Sequence, residues 1–229
     1  MTSAYDRPST RLSPETRGMA WGLIGVITFG LTLPLTRFAV AELSPQFIGM
    51  GRAALAGLVA AVILLVGKQM RPTLRECGSL LVTAACIGVG FPIFVGLAME
   101  HAPASHGGVV FGILPLATAI ISALLHGDRP SFGFWLCGCI GSALVVIFTL
   151  REGGGHFTLG DLYLLGCIVT AALGYAVSGQ LAKDLGGWQT ICWTLVFALP
   201  VTLPAAAYLW PENGASVSPS VWACFAYLA

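Results

Sequence analysis

Residues 103–150 hold two unbroken apolar segments joined by the tight polar turn His126-Gly127-Asp128-Arg129-Pro130. Each segment has about the 20 residues that carry a helix across the hydrocarbon core of a bilayer. In lipid the backbone must satisfy its own hydrogen bonds, so only helices or a closed barrel can span. Unbroken apolar runs, without period-two alternation, select helices. The pair is therefore expected to form a transmembrane helical hairpin.

The same pattern recurs along the chain. A polar tail, residues 1–17, carries Arg7, Arg11 and Arg17 and leads into an apolar run over 18–41. That run far exceeds the roughly 7–15 residues of a signal-peptide core, so it is read as an uncleaved first span. Further spans are expected at 45–67, 79–99, 106–126, 131–150, 162–181 and 188–210. An eighth begins near Val221, and the sequence stops about nine residues into it, too few to cross a bilayer. The expectation is a fragment of a longer protein: seven complete spans and the start of another.

Composition agrees, since 56% of residues are hydrophobic and 9% charged, against about a quarter charged in a soluble domain. The fold class expected is an all-α polytopic transmembrane bundle whose surroundings are a lipid bilayer. Arg7, Arg11, Arg17, Lys68, Arg71, Arg75, Arg129 and Lys183 fall on one side of it, and the opposite loops hold only Arg151. By the positive-inside bias the N-terminus is cytoplasmic, in a cell inner (plasma) membrane. A net charge of +1, with no basic cluster interleaved with aromatics, argues against a nucleic-acid partner. The seven cysteines show no CxxC pair and no metal-ligand spacing and read as small core residues. No metal and no cofactor are expected.

A faint internal repeat is present. Gly18-Met19-Ala20-Trp21 and Gly160-Asp161-Leu162-Tyr163 open their spans alike; in that register Thr28 falls on Thr170, and one residue further on Gln46 falls on Gln189. A five-span unit repeated must be inverted in the membrane, because five is odd. The domains expected are the tail 1–17, a first five-span repeat 18–150, an outer linker 151–161 and an incomplete second repeat 162–229.

Several short motifs resemble the EamA-domain carriers of the drug/metabolite transporter superfamily. They are Trp21-Gly22 in the first span, Arg52-Ala53-Ala54-Leu55-Ala56 in the second, residues 102–105, Pro115-Leu116, the turn Gly127-Asp128-Arg129-Pro130, and Gly138 and Gly141 beyond it. Asp128 stands where Glu is usual, and His126 where an apolar residue is usual. The resemblance implies ten helices in two inverted halves. It also implies a central cavity and alternating-access movement, often outward, of a small metabolite or drug.

The residues add their own argument. Pro34, Pro92 and Pro115 remove the helical donors of the carbonyls of Gly30, Gly88 and Phe111. In lipid such carbonyls should face protein or a wet cavity. Pro34, Gly88, Pro92 and Pro115 are hinge candidates, against the alternative of kinks that only shape packing. Small residues at four-residue spacing, such as Gly49, Ala53, Gly57 and Ala61, put a smooth stripe on one helical face; the plain reading is close packing. Arg37 lies near the outer end of span one and can reach the interface. Arg52 is about seven residues into span two, roughly 10 Å. It either pairs with helix-end carbonyls or Glu100, or attracts an anionic substrate group.

Glu100, His101 and His106 cluster at the outer end; the histidines are either solvated loop residues or proton or substrate sensors. None of the complete spans carries Asp or Glu at its middle, so no carboxylate-based proton coupling is expected from this portion. The substrate-cavity candidates are Thr28, Arg52, Gly90, Phe91, Pro92, Pro115, Tyr175 and Trp193, with stacking and a few hydrogen bonds holding a small solute. A membrane enzyme is disfavoured, because no GxSxG and no histidine beside a suitable nucleophile exist. The remaining alternative is a non-transporting receptor or scaffold that binds a small molecule. Self-association into a homo-oligomer stays open.

Overall fold

The computed structural model describes residues 14–67, 69, 71–152, 158–212 and 214–229. Arg7, Arg11 and Lys68, and residues 153–157 of the expected linker, lie outside the described residues. The chain divides into two compact units, Met1–Thr32 and Leu33–Ala229. The first contains helix α1 (Pro14–Gly30). The second runs through α2 (Thr32–Ala39), α3 (Pro45–Val66), α4 (Leu74–Thr83), α5 (Phe91–His101), α6 (Ala104–Val110), α7 (Leu114–His126), α8 (Phe132–Glu152), α9 (Leu159–Leu185), α10 (Gly187–Tyr208) and α11 (Pro219–Leu228). Among the described residues there is no strand.

Among the described residues, six stretches are long and apolar enough to cross a membrane: Gly18–Ala39, Pro45–Val66, Leu74–His101, Ala104–His126, Leu159–Leu185 and Gly187–Tyr208. Two further apolar helices, Phe132–Phe148 and Pro219–Leu228, are shorter by that measure. All seven expected spans are helical, the third extending beyond its expected bounds at both ends.

Helix starts follow local chemistry. Ser44 caps α3, its hydroxyl accepting the N–H of Phe47 at 3.3 Å, with Pro45 supplying the first-turn residue that needs no donor. Thr73 with Glu76 and Thr158 with Asp161 form reciprocal capping boxes at α4 and α9, each satisfying two otherwise orphaned N–H groups. The α7–α8 turn is closed by Gly127, whose φ of 71° is reached without penalty by a residue that has no Cβ.

Within the second unit, α3 and α9 both pack against α5 and α10. These four helices enclose a common interior, with α7 laid on α9 and α8 on α6 and α7. The contact between α3 and α10 is antiparallel: Gly57 meets Leu195 and Leu199, and Phe47, Gly51 and Leu55 share a groove with Leu203, Ala207 and Trp210. Glycines set the spacing. A Cβ on Gly49 would stand 2.8 Å from the carbonyl oxygen of Pro92, and one on Gly96 would stand 2.6 Å from that of Pro45. At Gly49 and Gly96 helix backbones therefore touch, whereas Gly133 and Gly141 of α8 meet nothing within 4 Å.

Candidate functional site

The interior is organised around an interruption of the third span. Between α4 and α5 the chain widens into a π-helical turn, Ala84–Gly90, in which the N–H of Phe91 reaches back to the carbonyl of Cys86. The cause is Pro92, which has no N–H and whose ring would collide with the carbonyl of residue 88 in a regular helix. A wider turn removes that collision, and such bulges are frequent at functional sites. Gly88 lies against Ala198 of α10 and Gly90 against Thr170 of α9, where added Cβ atoms would come within 2.6 Å and 3.0 Å of those side chains. The turn is therefore pinned between α9 and α10 by two residues with nothing to retract.

The other expected hinges differ from it and from each other. At Pro115 a short 3-10 turn, Phe111–Ile113, precedes α7, and the N–H of Leu114 bonds the carbonyl of Phe111. The acceptor that Pro115 was expected to strand is thereby satisfied. The helix breaks at Leu31, ahead of Pro34, α1 ending at Gly30 and α2, which contains Pro34, beginning at Thr32. Two prolines that sequence reasoning passed over, Pro200 and Pro204, sit inside α10 and leave the carbonyls of Val196 and Pro200 without helical donors.

Arg52 stands on α3 one turn from Gly49 and is 9% exposed. Its electrostatic neighbours are Cys167 and Tyr175 of α9. Among the described residues no hydrogen bond or ion pair engages its guanidinium. Of the two roles open to it, pairing with helix-end carbonyls falls instead to Arg37, which donates to the carbonyls of Met99 and Glu100, the latter at 2.9 Å. This bond locks α2 to the C-terminus of α5, where a cation suits the helix dipole.

Phe91 and Pro92 are buried at the π turn, and Tyr175 is 36% exposed on α9. Pro92 lies against Gly49, one turn from Arg52, while Gly88 and Gly90 lie against Ala198 and Thr170. Trp193 belongs elsewhere, lining a cavity of about 320 Å³ with Ala61, Leu64, Gln69 and Arg71 at the end of α3. Pro115 is exposed on α7. Thr28 belongs to the first unit and donates its hydroxyl to the carbonyl of Ile24 at 2.8 Å.

A second cavity, of about 450 Å³, opens among α4, α7 and α9 and is more polar, with Arg75, Glu76, His126, Gln180 and Asp184 on its walls. At the opposite end of these helices lies a pair that sequence reasoning missed. His106 of α6 and Asp161 of α9, both 6% exposed, meet at 2.6 Å between Nε2 and Oδ1. The second oxygen of Asp161 accepts the N–H and hydroxyl of Thr158 at 2.8 and 2.6 Å. Solvation does not account for His106, whereas Glu100 and His101 are exposed. The Thr158-x-x-Asp161 spacing announced a cap, but nothing local announced the histidine 55 residues away.

The sequence pattern of the EamA-like transporter family matches residues 16–151. This chain belongs to that family. A Bacillus subtilis (strain 168) protein called uncharacterized transporter YdeK is 40% identical over 218 residues, covering 95% of this chain and 76% of that protein. Uncharacterized transporter YyaM of the same organism is 25% identical over 222 residues, covering 90% and 71%. No solved structure matches. As an EamA-like transporter with several apolar helices of spanning length, the protein is a multi-pass membrane transporter, working in lipid on a small-molecule substrate. The resemblance read from its short motifs is borne out.

Proposed function

We propose that this transporter is a secondary-type carrier of the inner membrane that exports a small organic metabolite or drug by alternating access. Its substrate passes between two inverted halves, 18–150 and 162–229, with the N-terminal tail in the cytoplasm. The observation that carries the reading is the π turn Ala84–Gly90 followed by Pro92, held between α9 and α10 by glycine contacts. A span broken in this way bends at low cost, and discontinuous helices are the usual builders of transporter sites. Smooth glycine contacts let neighbouring helices slide as it bends.

One observation supports inverted halves: the second spans of the two halves, α3 and α10, pack antiparallel to each other.

The test is flux of a metabolite panel (amino acids, nucleosides, monocarboxylates) in proteoliposomes holding this chain or a version extended to ten spans. Pro92→Ala restores a helical donor and should cut flux at least about tenfold while leaving unfolding temperature within a few degrees. Full flux in Pro92→Ala would remove the hinge. Specific binding without flux in either version would favour the receptor reading.

A further inference from the structure

We propose that Arg52 is an anion-binding subsite and that its ligand is the single carboxylate of a small organic solute. As a statement about what is transported, this rests on the carrier reading; as a statement about binding, it does not.

Arg52 is 9% exposed and sits two turns into α3, in a bundle where α3 and α9 both pack against α5 and α10, and its electrostatic neighbours Cys167 and Tyr175 stand on α9. A guanidinium carries five N–H donors in a planar fork, and none of them meets an acceptor among the described residues. Burying such a group without a partner is costly, and chains rarely keep one unless something neutralises it. Among the described residues the carboxylates at this end of the bundle are occupied or turned outward. Arg37 holds the carbonyls of Met99 and Glu100. Asp161 is shared by His106 and Thr158, Glu42 is bound to Ser218, and Glu100 is exposed. Among the described residues the carboxylates at this end are thus engaged elsewhere, and the guanidinium buried in α3 is left open to a ligand.

The charge of that partner follows from the surroundings. Cys167 and Tyr175 are the ionisable groups near Arg52, and both are neutral at pH 7 in their ordinary range. The site therefore carries one positive charge. A monoanion makes it neutral, whereas a phosphate monoester, with its charge near −2, leaves a net charge in a low-dielectric interior. The planar fork also matches the two oxygens of a carboxylate. Tyr175, whose hydroxyl has no hydrogen bond among the described residues, stands on the facing helix to flank the ligand.

The experiment measures thermal unfolding of the purified chain in detergent against benzoate, its neutral amide benzamide, and phenyl phosphate. Benzoate is expected to raise the midpoint in a saturable way, benzamide to leave it unchanged, and phenyl phosphate to act more weakly than benzoate. Arg52→Gln should weaken benzoate at least about tenfold, the loss of a charge-assisted pair, and Arg52→Lys should keep part of the effect. Should Arg52→Gln fail to fold, the wild-type benzoate and benzamide comparison and Arg52→Lys decide. Equal effects of benzoate and benzamide, no benzoate effect in the wild type, unchanged benzoate affinity in Arg52→Gln, or tighter binding of phenyl phosphate would each overturn the proposal. Benzoate binding without flux in proteoliposomes overturns the carrier reading and leaves the subsite standing. Flux of neutral solutes without any carboxylate effect does the reverse.

Discussion

Replacing Gly49 by alanine tests the packing on which the interior depends. The new Cβ would lie 2.8 Å from the carbonyl oxygen of Pro92, 2.9 Å from its carbonyl carbon and 3.0 Å from the nitrogen of Ile93. Ordinary contact needs about 3.5 Å, so α3 and α5 must part by roughly 0.7 Å. All three atoms are backbone, immediately after the π turn, so no side chain can rotate out of the way. Overpacking of this kind costs about 1–3 kcal/mol. The same substitution also removes a flexible glycine from a helix, which favours folding by about 1 kcal/mol. Gly179→Ala in α9 supplies that gain alone, because a Cβ there meets nothing within 4 Å. The difference between Gly49→Ala and Gly179→Ala, measured by reversible unfolding in mixed micelles, should therefore be about 1–3 kcal/mol against Gly49→Ala. Equal stability of the two variants would refute the close approach of α3 to α5.

The His106–Asp161 pair should show a coupling of about 1.5–3 kcal/mol in a double-mutant cycle of His106→Ala and Asp161→Ala. Effects additive within about 0.5 kcal/mol would show that the two ends of α6 and α9 are held by something else. Glu42 binds the N–H of Ser218 at 2.7 Å and its hydroxyl at 2.8 Å, and the backbone bond first, then the hydroxyl, holds its carboxyl below the ordinary value of 4.5. A carboxyl lowered on folding stabilises fully above its unfolded value, and that contribution is lost as pH falls through its lower folded value. The protection of the first α11 amides, relative to their intrinsic exchange rates, should accordingly fall on acidification below 4.5, and Glu42→Gln should remove most of that pH dependence. An aromatic cluster holds the same region: the Phe47 ring lies 5.5 Å from Trp210 and 5.3 Å from Phe225. Phe47→Ala should destabilise by about 3–5 kcal/mol in thermal or chemical unfolding, and a loss under about 1 kcal/mol would contradict its burial.

Helix positions were legible because their cause is local. Apolar runs of spanning length, Ser44-Pro45 at the start of α3, the Thr-x-x-Glu/Asp caps of α4 and α9, and Gly127 at the turn each act within a few residues. The glycine stripes were readable as packing faces for the same reason. Partners were not legible. Arg37 and Arg52 look alike in sequence, both basic and both in apolar helices, yet one binds the end of α5 and the other binds nothing in the described chain. His106 and Asp161 are separated by 55 residues, and only the approach of α6 to α9 brings them together. Pro115 and Pro92 also look alike. One is absorbed by a 3-10 turn that satisfies the freed carbonyl, the other by a π turn that opens the helix between two neighbours.

By itself the sequence determined that this chain is a helical membrane protein and where its apolar helices lie to within several residues. Those properties come from hydrogen-bond satisfaction in lipid and from chemistry within one helical turn. Tertiary structure alone decided which charges are neutralised, which proline became a bulge, and which buried cation was left facing the interior. Each of those depends on what a second helix, distant in the chain, presents at the same depth.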